Sequence, residues 1–311
     1  MSARNKIISC LVFGLILFAC GHQPNGKPEP TDTTTTGEVK IVVDESYFRI
    51  FQTQIYTFES IYPTSKIHAT YLPEGDALNR LMNDSCKVVV LSRDLSASEK
   101  KTFQSNNLYP ISTMIAEDAI ALIVHAENPD SIIAVEQVTN LLSGKDSLWS
   151  SINPKSAVGS VSLVFDSKGS ANARYMKDSL LQGREFSKNV FALNSTPEVI
   201  EYVSKNKGAI GFIGVNWISD LDDPKVKETL KHIKVLAVSK AGSRAVKPEQ
   251  SHIKEKDYPF TRKVYMISRQ TRAGLGMGFV SFVAGEKGQL MMLKAGLIPG
   301  FPPERTIKIK Y

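Results

Sequence analysis

A chain of 311 residues, 42% hydrophobic and 22% charged, has the balance of a globular protein and is long enough for one large domain or two ordinary ones, which excludes disorder or a collagen-like repeat as its main state. Lysine and arginine outnumber aspartate and glutamate 38 to 31, a formal charge of +7, but the basic residues are spread along the chain, which reads as a solvated surface and not as a nucleic-acid footprint. Three cysteines cannot build a disulfide framework.

Arg4 and Lys6 precede the apolar run Ile7–Leu17, which ends at Phe18-Ala19-Cys20-Gly21. The run is short for a membrane-spanning helix and is followed at once by small residues, the pattern of an export signal over residues 1–19. Leu17-Phe18-Ala19-Cys20 resembles a bacterial lipobox, which implies that Cys20 is acylated and becomes the first residue of the mature chain. Acyl chains contribute roughly 0.8 kcal/mol per buried methylene, so two or three of them hold a domain at a bilayer, and no later segment is long and apolar enough to span. From His22 to Gly37, three prolines and four consecutive threonines without hydrophobic periodicity read as a flexible tether over residues 20–37, with folded structure starting near Glu38. Cys10 leaves with the signal and Cys20 is modified, so Cys86 has no partner; beside Val88-Val89-Val90-Leu91 it reads as a buried free thiol.

Beyond Glu38, short apolar runs alternate with amphipathic stretches, the signature of α/β architecture. Val39–Val43 is a strand; Phe48, Phe51, Ile55, Phe58 and Tyr62 form one face of a helix over Ser46–Tyr62 that Pro63 stops. Strand Lys66–Leu72, helix Gly75–Asp84 and strand Lys87–Leu91 follow, and three such units in series imply a parallel sheet. Further on come strand Ala119–His125, helix Val135–Leu142, strand Val158–Asp166, helix Ser170–Leu181, helix Pro197–Lys205 and the glycine-rich strand Gly208–Gly214, whose glycines imply a close neighbour to the backbone. Lys240–Asp257 is polar and irregular, Val264–Ile267 is a strand, and Leu275–Leu293 reads as one long helix.

The order of five short motifs resembles the phosphate-binding, PstS-like branch of bacterial solute-binding proteins that serve ABC transporters. They are Leu91-Ser92-Arg93-Asp94-Leu95, Gly169-Ser170-Ala171-Asn172, Phe186-Ser187-Lys188-Asn189, Gly208–Ile213 and Phe282–Gln289. The resemblance implies a two-lobed, type II periplasmic binding protein-like α/β fold, each lobe a mainly parallel sheet flanked by helices. Lobe 1 would take residues 38–115 plus 260–311 and lobe 2 residues 116–259, with the ligand in the cleft between. It also implies a monomer facing the periplasm or exterior, with no enzymatic activity and no cofactor, whose partners are phosphate or a related small oxyanion and an ABC permease, and which touches the membrane only through its lipid.

Helix N-termini after Asp44, Pro73 and Gly169 suit an anion, because each offers unpaired N–H groups and the positive end of a helix dipole. Mapped onto the family's loops, the ligand-binding candidates are Asp44, Glu45, Ser46, Glu74, Gly75, Arg93, Asp166, Ser170, Ala171 and Asn172, with Arg93 the charge partner and Lys168 a neighbour. Glu74 falls where the family carries a serine and Asp166 where it often carries arginine. Acids at helix starts also serve as caps, and a single carboxylate suits a protonated phosphate by accepting its hydrogen bond. The acid excess keeps open a second reading, the same fold with an altered or vestigial site acting as an envelope sensor or protein-interaction component. The five histidines lack metal-ligand spacing, three Ser-x-x-Lys matches fit chance in a lysine-rich chain, and Gly274–Gly278 reads as the start of a helix.

Overall fold

A computed structural model describes residues 32–270 and 272–302; the expected signal segment, Cys20 and most of the tether lie outside the described residues. Strand β1 (Gly37–Asp44) alternates buried and exposed positions before turning wholly buried, and pairs in parallel with β2 (Ser65–Leu72) on one side and β3 (Val88–Leu91) on the other. Between them a 3-10 turn at Glu45–Tyr47 opens α1 (Phe48–Ile61), and α2 (Glu74–Met82) returns the chain to β3. The periodic aromatics of α1 do what their spacing predicts: Phe51 and Phe58 are fully buried, and Phe58 packs edge-on against Phe279 and Phe282 at 5.4 and 5.2 Å. Such pairs add about 0.5–1.5 kcal/mol beyond area burial.

After α3 (Ala97–Ser105), strand β4 (Ile111–His125) runs for 15 residues, twice the length its apolar core suggests, and its two ends have different neighbours. Ile111–Ala119 pairs antiparallel with β11 (Thr261–Ser268), which also borders β3, while Ile120–Val124 pairs with β8 (Ala209–Gly214). Beyond β8 lie β6 (Ser162–Phe165) and β7 (Val190–Ala192), all parallel to one another. The strand order is therefore β2-β1-β3-β11-β4-β8-β6-β7, two parallel sets joined by two antiparallel crossing strands. Small strands β9 (Ile233–Val235) and β12 (Ile298–Pro299) add to β4, and β5 (Ile132–Ala134) pairs with β10 (Ala237–Ser239). The architecture is two α/β lobes: residues 39–116 with 264–297 supply the cores around β1–β3, and residues 119–260 those around β6–β8.

Helices α4 (Val135–Ser143), α5 (Ala171–Leu181), α6 (Thr196–Lys205), α7 (Pro224–His232) and the short α8 (Gln250–Lys254) flank the second lobe. The close neighbour implied for Gly211 is α6: a Cβ there would meet Val199 Cγ1 at 2.7 Å and Val203 Cγ2 at 2.9 Å. The final helix is divided into α9 (Leu275–Ala284) and α10 (Glu286–Lys294). Gly285 between them takes extended backbone, and a Cβ on Gly288 would lie 2.4 Å from Val283 O, so α10 starts on top of the end of α9 in a way only glycine permits. The last residues of the expected tether already make contacts, because Asp32 Oδ1 accepts the Leu275 N–H at 2.8 Å and Thr34 lies against Gly278 of α9. Cys86 is buried and free, and burial pushes its thiol up to about 11.

Candidate ligand-binding site

The three loops singled out by sequence meet at the ends of β1, β2 and β6. At the end of β1, Asp44 is fully buried and its Oδ1 accepts the Ser46 N–H at 2.9 Å, capping the 3-10 turn; Ser46 is buried as well, with its hydroxyl unpartnered. Glu45 accepts the Ser167 hydroxyl at 2.8 Å, linking the loops after β1 and β6. At the end of β6, Asp166 is fully buried and its Oδ2 accepts from Asn172 Nδ2 at 2.9 Å and Thr196 Oγ1 at 3.3 Å. Ser170 caps α5 by accepting the Ala173 N–H at 3.1 Å, which leaves the N–H groups of buried Ala171 and Asn172 at the helix start.

Glu74, the first residue of α2, is only 2% exposed and is the most heavily bonded acid of the set. It accepts from Ser92 N at 3.1 Å, Ser92 Oγ at 2.5 Å and the Nε and Nη2 of Arg174, with Arg93 Nε at 3.4 Å. Arg93 also grips Glu99 bidentately, both contacts at 2.8 Å, so its guanidinium faces two carboxylates. Glu74, Gly75, Arg93 and Ser170 line one pocket of about 510 Å³ together with Lys168 and Arg174. Glu45 lines a different one of about 660 Å³, beside Arg49 and Trp217. Asp44, Ser46, Asp166, Ala171 and Asn172 are buried.

Sequence reasoning missed the charged centre. Arg262 on β11 and Asp118 on β4 are register partners across the crossing strands, and Arg262 Nε and Nη2 donate to Asp118 Oδ2 at 3.0 and 2.8 Å. Tyr47 OH donates to the same oxygen at 3.2 Å, and the guanidinium carbon sits 5.5 Å from the centroid of the Tyr47 ring. A legible signal existed: Asp118 stands directly before the apolar run Ala119–Val124 of β4, and a charge at the edge of a buried run requires a partner. Asn216 folds back towards this pair, since a Cβ on Gly214 would meet its Nδ2 at 2.8 Å and Arg262 Nη2 and Asp118 Oδ2 at 3.7 Å.

Burial dominates the protonation pattern. It pushes Asp44 up to about 8, with the Glu74 charge adding and Arg262 opposing, and Glu45 up to about 7 against the Ser167 hydrogen bond. Burial also raises Asp166. For Glu74 burial is outweighed by Arg174, the Ser92 hydrogen bond and Arg93, which hold its carboxyl below the usual range. At pH 7 the centre therefore carries a neutral, hydrogen-donating Asp44 beside the Arg262 cation. The buried side-chain atoms it leaves without a hydrogen-bond partner are Asp44 Oδ2, Ser46 Oγ, Asp118 Oδ1, Asp166 Oδ1, Asn172 Oδ1, Arg262 Nη1 and both side-chain polar atoms of Asn216. Buried polar atoms without partners are unfavourable, and this mixed set of donors and acceptors is complementary to a small polar solute that both accepts and donates. Among the described residues no group of three or more histidine, cysteine or acidic side chains is arranged to hold a metal ion.

Two α/β lobes joined by crossing strands, with a polar centre where the ends of β1 and β6 meet those strands, are the build of a periplasmic binding protein, and the chain belongs to that family: residues 28–287 match the PBP superfamily domain. It is 22% identical over 299 residues to the phosphate-binding protein PstS of Staphylococcus aureus (strain USA300), covering 94% of this chain and 86% of that protein. Among solved structures it is similar to a Clostridium perfringens protein provisionally assigned as a phosphate ABC transporter substrate-binding protein, with phosphate bound (TM-score 0.70, 20% identity, 85% of this chain and 99% of that one). It is also similar to an ABC-type phosphate transport receptor from Vibrio cholerae (TM-score 0.64, 18% identity, 85% and 100%).

Proposed function

We propose that this chain is a non-enzymatic, extracytoplasmic solute-binding protein that captures phosphate or a related oxyanion for an ABC permease and is held at a bacterial membrane through lipid on Cys20. The observation that carries the reading is the buried set of unpartnered polar atoms around Arg262 and Asp44, where the ends of β1 and β6 meet the middle of β4 and the start of β11, in a chain whose relatives are named for phosphate. Strand ends are where α/β clefts place ligands. A hydrogen phosphate would accept from Arg262 Nη1, the Ser46 hydroxyl, protonated Asp44 and the N–H groups of Ala171 and Asn172, and its own O–H would be accepted by Asp166 or Asn172. The division into lobe 1 (residues 38–115 and 260–311) and lobe 2 (116–259) is supported by the two groups of cores, which change over between Ala116 and Ala119 and between Phe260 and Val264.

The test is calorimetric titration of protein that has been unfolded, dialysed and refolded, with phosphate, sulfate and small organic acids as probes. Phosphate at a hundred times its dissociation constant stabilises the fold by about 2.7 kcal/mol, which a melting curve resolves. No heat and no melting shift at millimolar phosphate would overturn the phosphate reading in favour of another solute or a vestigial site. For the anchor, labelled fatty acid enters the wild-type chain and not Cys20→Ser; labelling that persists in the variant refutes it.

A further inference from the structure

The Glu74 carboxylate is bound the way a free anion is bound. One backbone N–H, one hydroxyl and two guanidinium groups converge on it; Arg174 Nη2 also donates to Ser92 Oγ at 3.0 Å, which leaves the serine hydroxyl hydrogen to point at the carboxylate. The donors come from separate parts of the fold, Ser92 and Arg93 from the loop after β3 and Arg174 from α5. A surface ion pair needs one cation; five donor atoms around a single, nearly inaccessible carboxylate form an oxyanion receptor, with guanidinium geometry that matches phosphate and carboxylate alike. The carboxylate also lies in the wall of the 510 Å³ pocket, whose other walls carry Lys168 and Ser170, Lys177 paired to Glu185, and the apolar side chains of Phe165, Phe186 and Phe191, so the space it fills is continuous with a recess large enough for a small solute. Gly75 follows it, and nothing lies within 4 Å of where a Cβ would sit there, so the space beside the carboxylate is open on that side.

We propose that Glu74 is a tethered occupant of an oxyanion cradle made by Ser92, Arg93 and Arg174, and that it sets this chain's specificity by competing with the free anion for that cradle. This deepens the phosphate reading above and rests on it: the Glu74 charge acts on Asp44, and Glu74, Arg93 and Arg174 line one pocket with Ser170 at the start of α5, so the cradle borders the same site. A tethered carboxylate competes at the high effective concentration of an intramolecular group, so the apparent dissociation constant of a free oxyanion is its intrinsic value divided by the small fraction of time the cradle stands open. Removing the carboxylate removes that division. Entry of phosphate would swing Glu74 out and leave Arg174 bonded to the ligand.

The experiment compares phosphate titrations of stripped wild type, Glu74→Gln, Glu74→Ala and Glu74→Ala/Arg174→Ala at pH 7, with circular dichroism and melting curves confirming the fold. The glutamine variant keeps the side chain's size, so it serves if the alanine variant fails to fold. Both single variants bind phosphate at least about tenfold more tightly than wild type, and the added Arg174→Ala abolishes the gain. Folded single variants that bind no tighter than wild type, or a gain that survives Arg174→Ala, overturn the proposal. If wild type binds phosphate and the variants do not improve on it, the proposal falls and the transport reading stands. If only the variants bind, the cradle is established and phosphate is not the solute of the wild-type chain; if none bind, both fall.

Discussion

Asp44→Asn isolates the claim that burial keeps a neutral acid at the centre of the site. Asp44 is fully buried, its Oδ1 accepts the Ser46 N–H, and its Oδ2 has no partner, so an amide fits the same space and preserves the cap. The group titrates at its ordinary 3.8 in the unfolded chain and at about 8 in the folded one, so folding takes up a proton at every pH between those values. Stability from this group is complete below 3.8 and is lost as pH rises towards 8, at about 1.4 kcal/mol per pH unit. Between pH 5 and pH 7.5 wild type should lose about 3 kcal/mol that the asparagine variant does not. Urea unfolding of both proteins at both pH values measures this as a double difference. The intrinsic cost of the substitution cancels in it, as does the parallel titration of Glu45, which burial raises to about 7. A double difference below about 1 kcal/mol would refute the reasoning, because it would mean that Asp44 is ionised in the folded protein and that Arg262, not burial, governs it.

Asp118→Asn strips Arg262 of its buried counter-charge and should destabilise the chain by about 3–5 kcal/mol in urea unfolding; a loss under 1 kcal/mol would mean that Asp44 substitutes for it. Gly211→Ala drives a methyl into Val199 and Val203 and should cost about 1–3 kcal/mol by the same assay, with a neutral result showing that α6 is free to retreat from β8. Cys86 should react with a thiol reagent only as fast as the chain opens, since burial keeps it protonated; rapid labelling of the native protein at pH 8 would contradict its placement.

The parts of the fold legible in the sequence are those whose burial is written into a single segment. The aromatic face of α1, Pro63 after it and the apolar runs of β1 and β3 need no partner to be recognised. Helix α3 escaped because only Phe103 of its nine residues is buried, and its one local mark is the capping box of Ser96 and Glu99; α7 buries only Val226 and announces itself only by Asp223 and Pro224. The split of the last helix depends on Gly288 meeting Val283, a tertiary contact that helical periodicity does not encode. At the site, the acids were visible because strand ends are, whereas the Arg262–Asp118 pair spans 144 positions and exists only through the β4–β11 register. Arg174 follows the Ser170 cap by four residues, one turn along α5, and nothing in its own segment marks the contact it makes with Glu74, 100 positions earlier in the chain.

The crossing strands β4 and β11 have a role beyond connection. Asp118 and Arg262 face each other within the stretch of β4 that leaves β11 for β8, where the strand exchanges one set of neighbours for the other. Any rotation of one half of the molecule against the other must be absorbed as twist in those same strands. The joint and the charge are thus one piece of machinery. A substitution meant to stiffen the joint would also re-aim the guanidinium, and one meant to alter the charge would also change how readily the halves swing, so tightness of grip and ease of motion are inherited together.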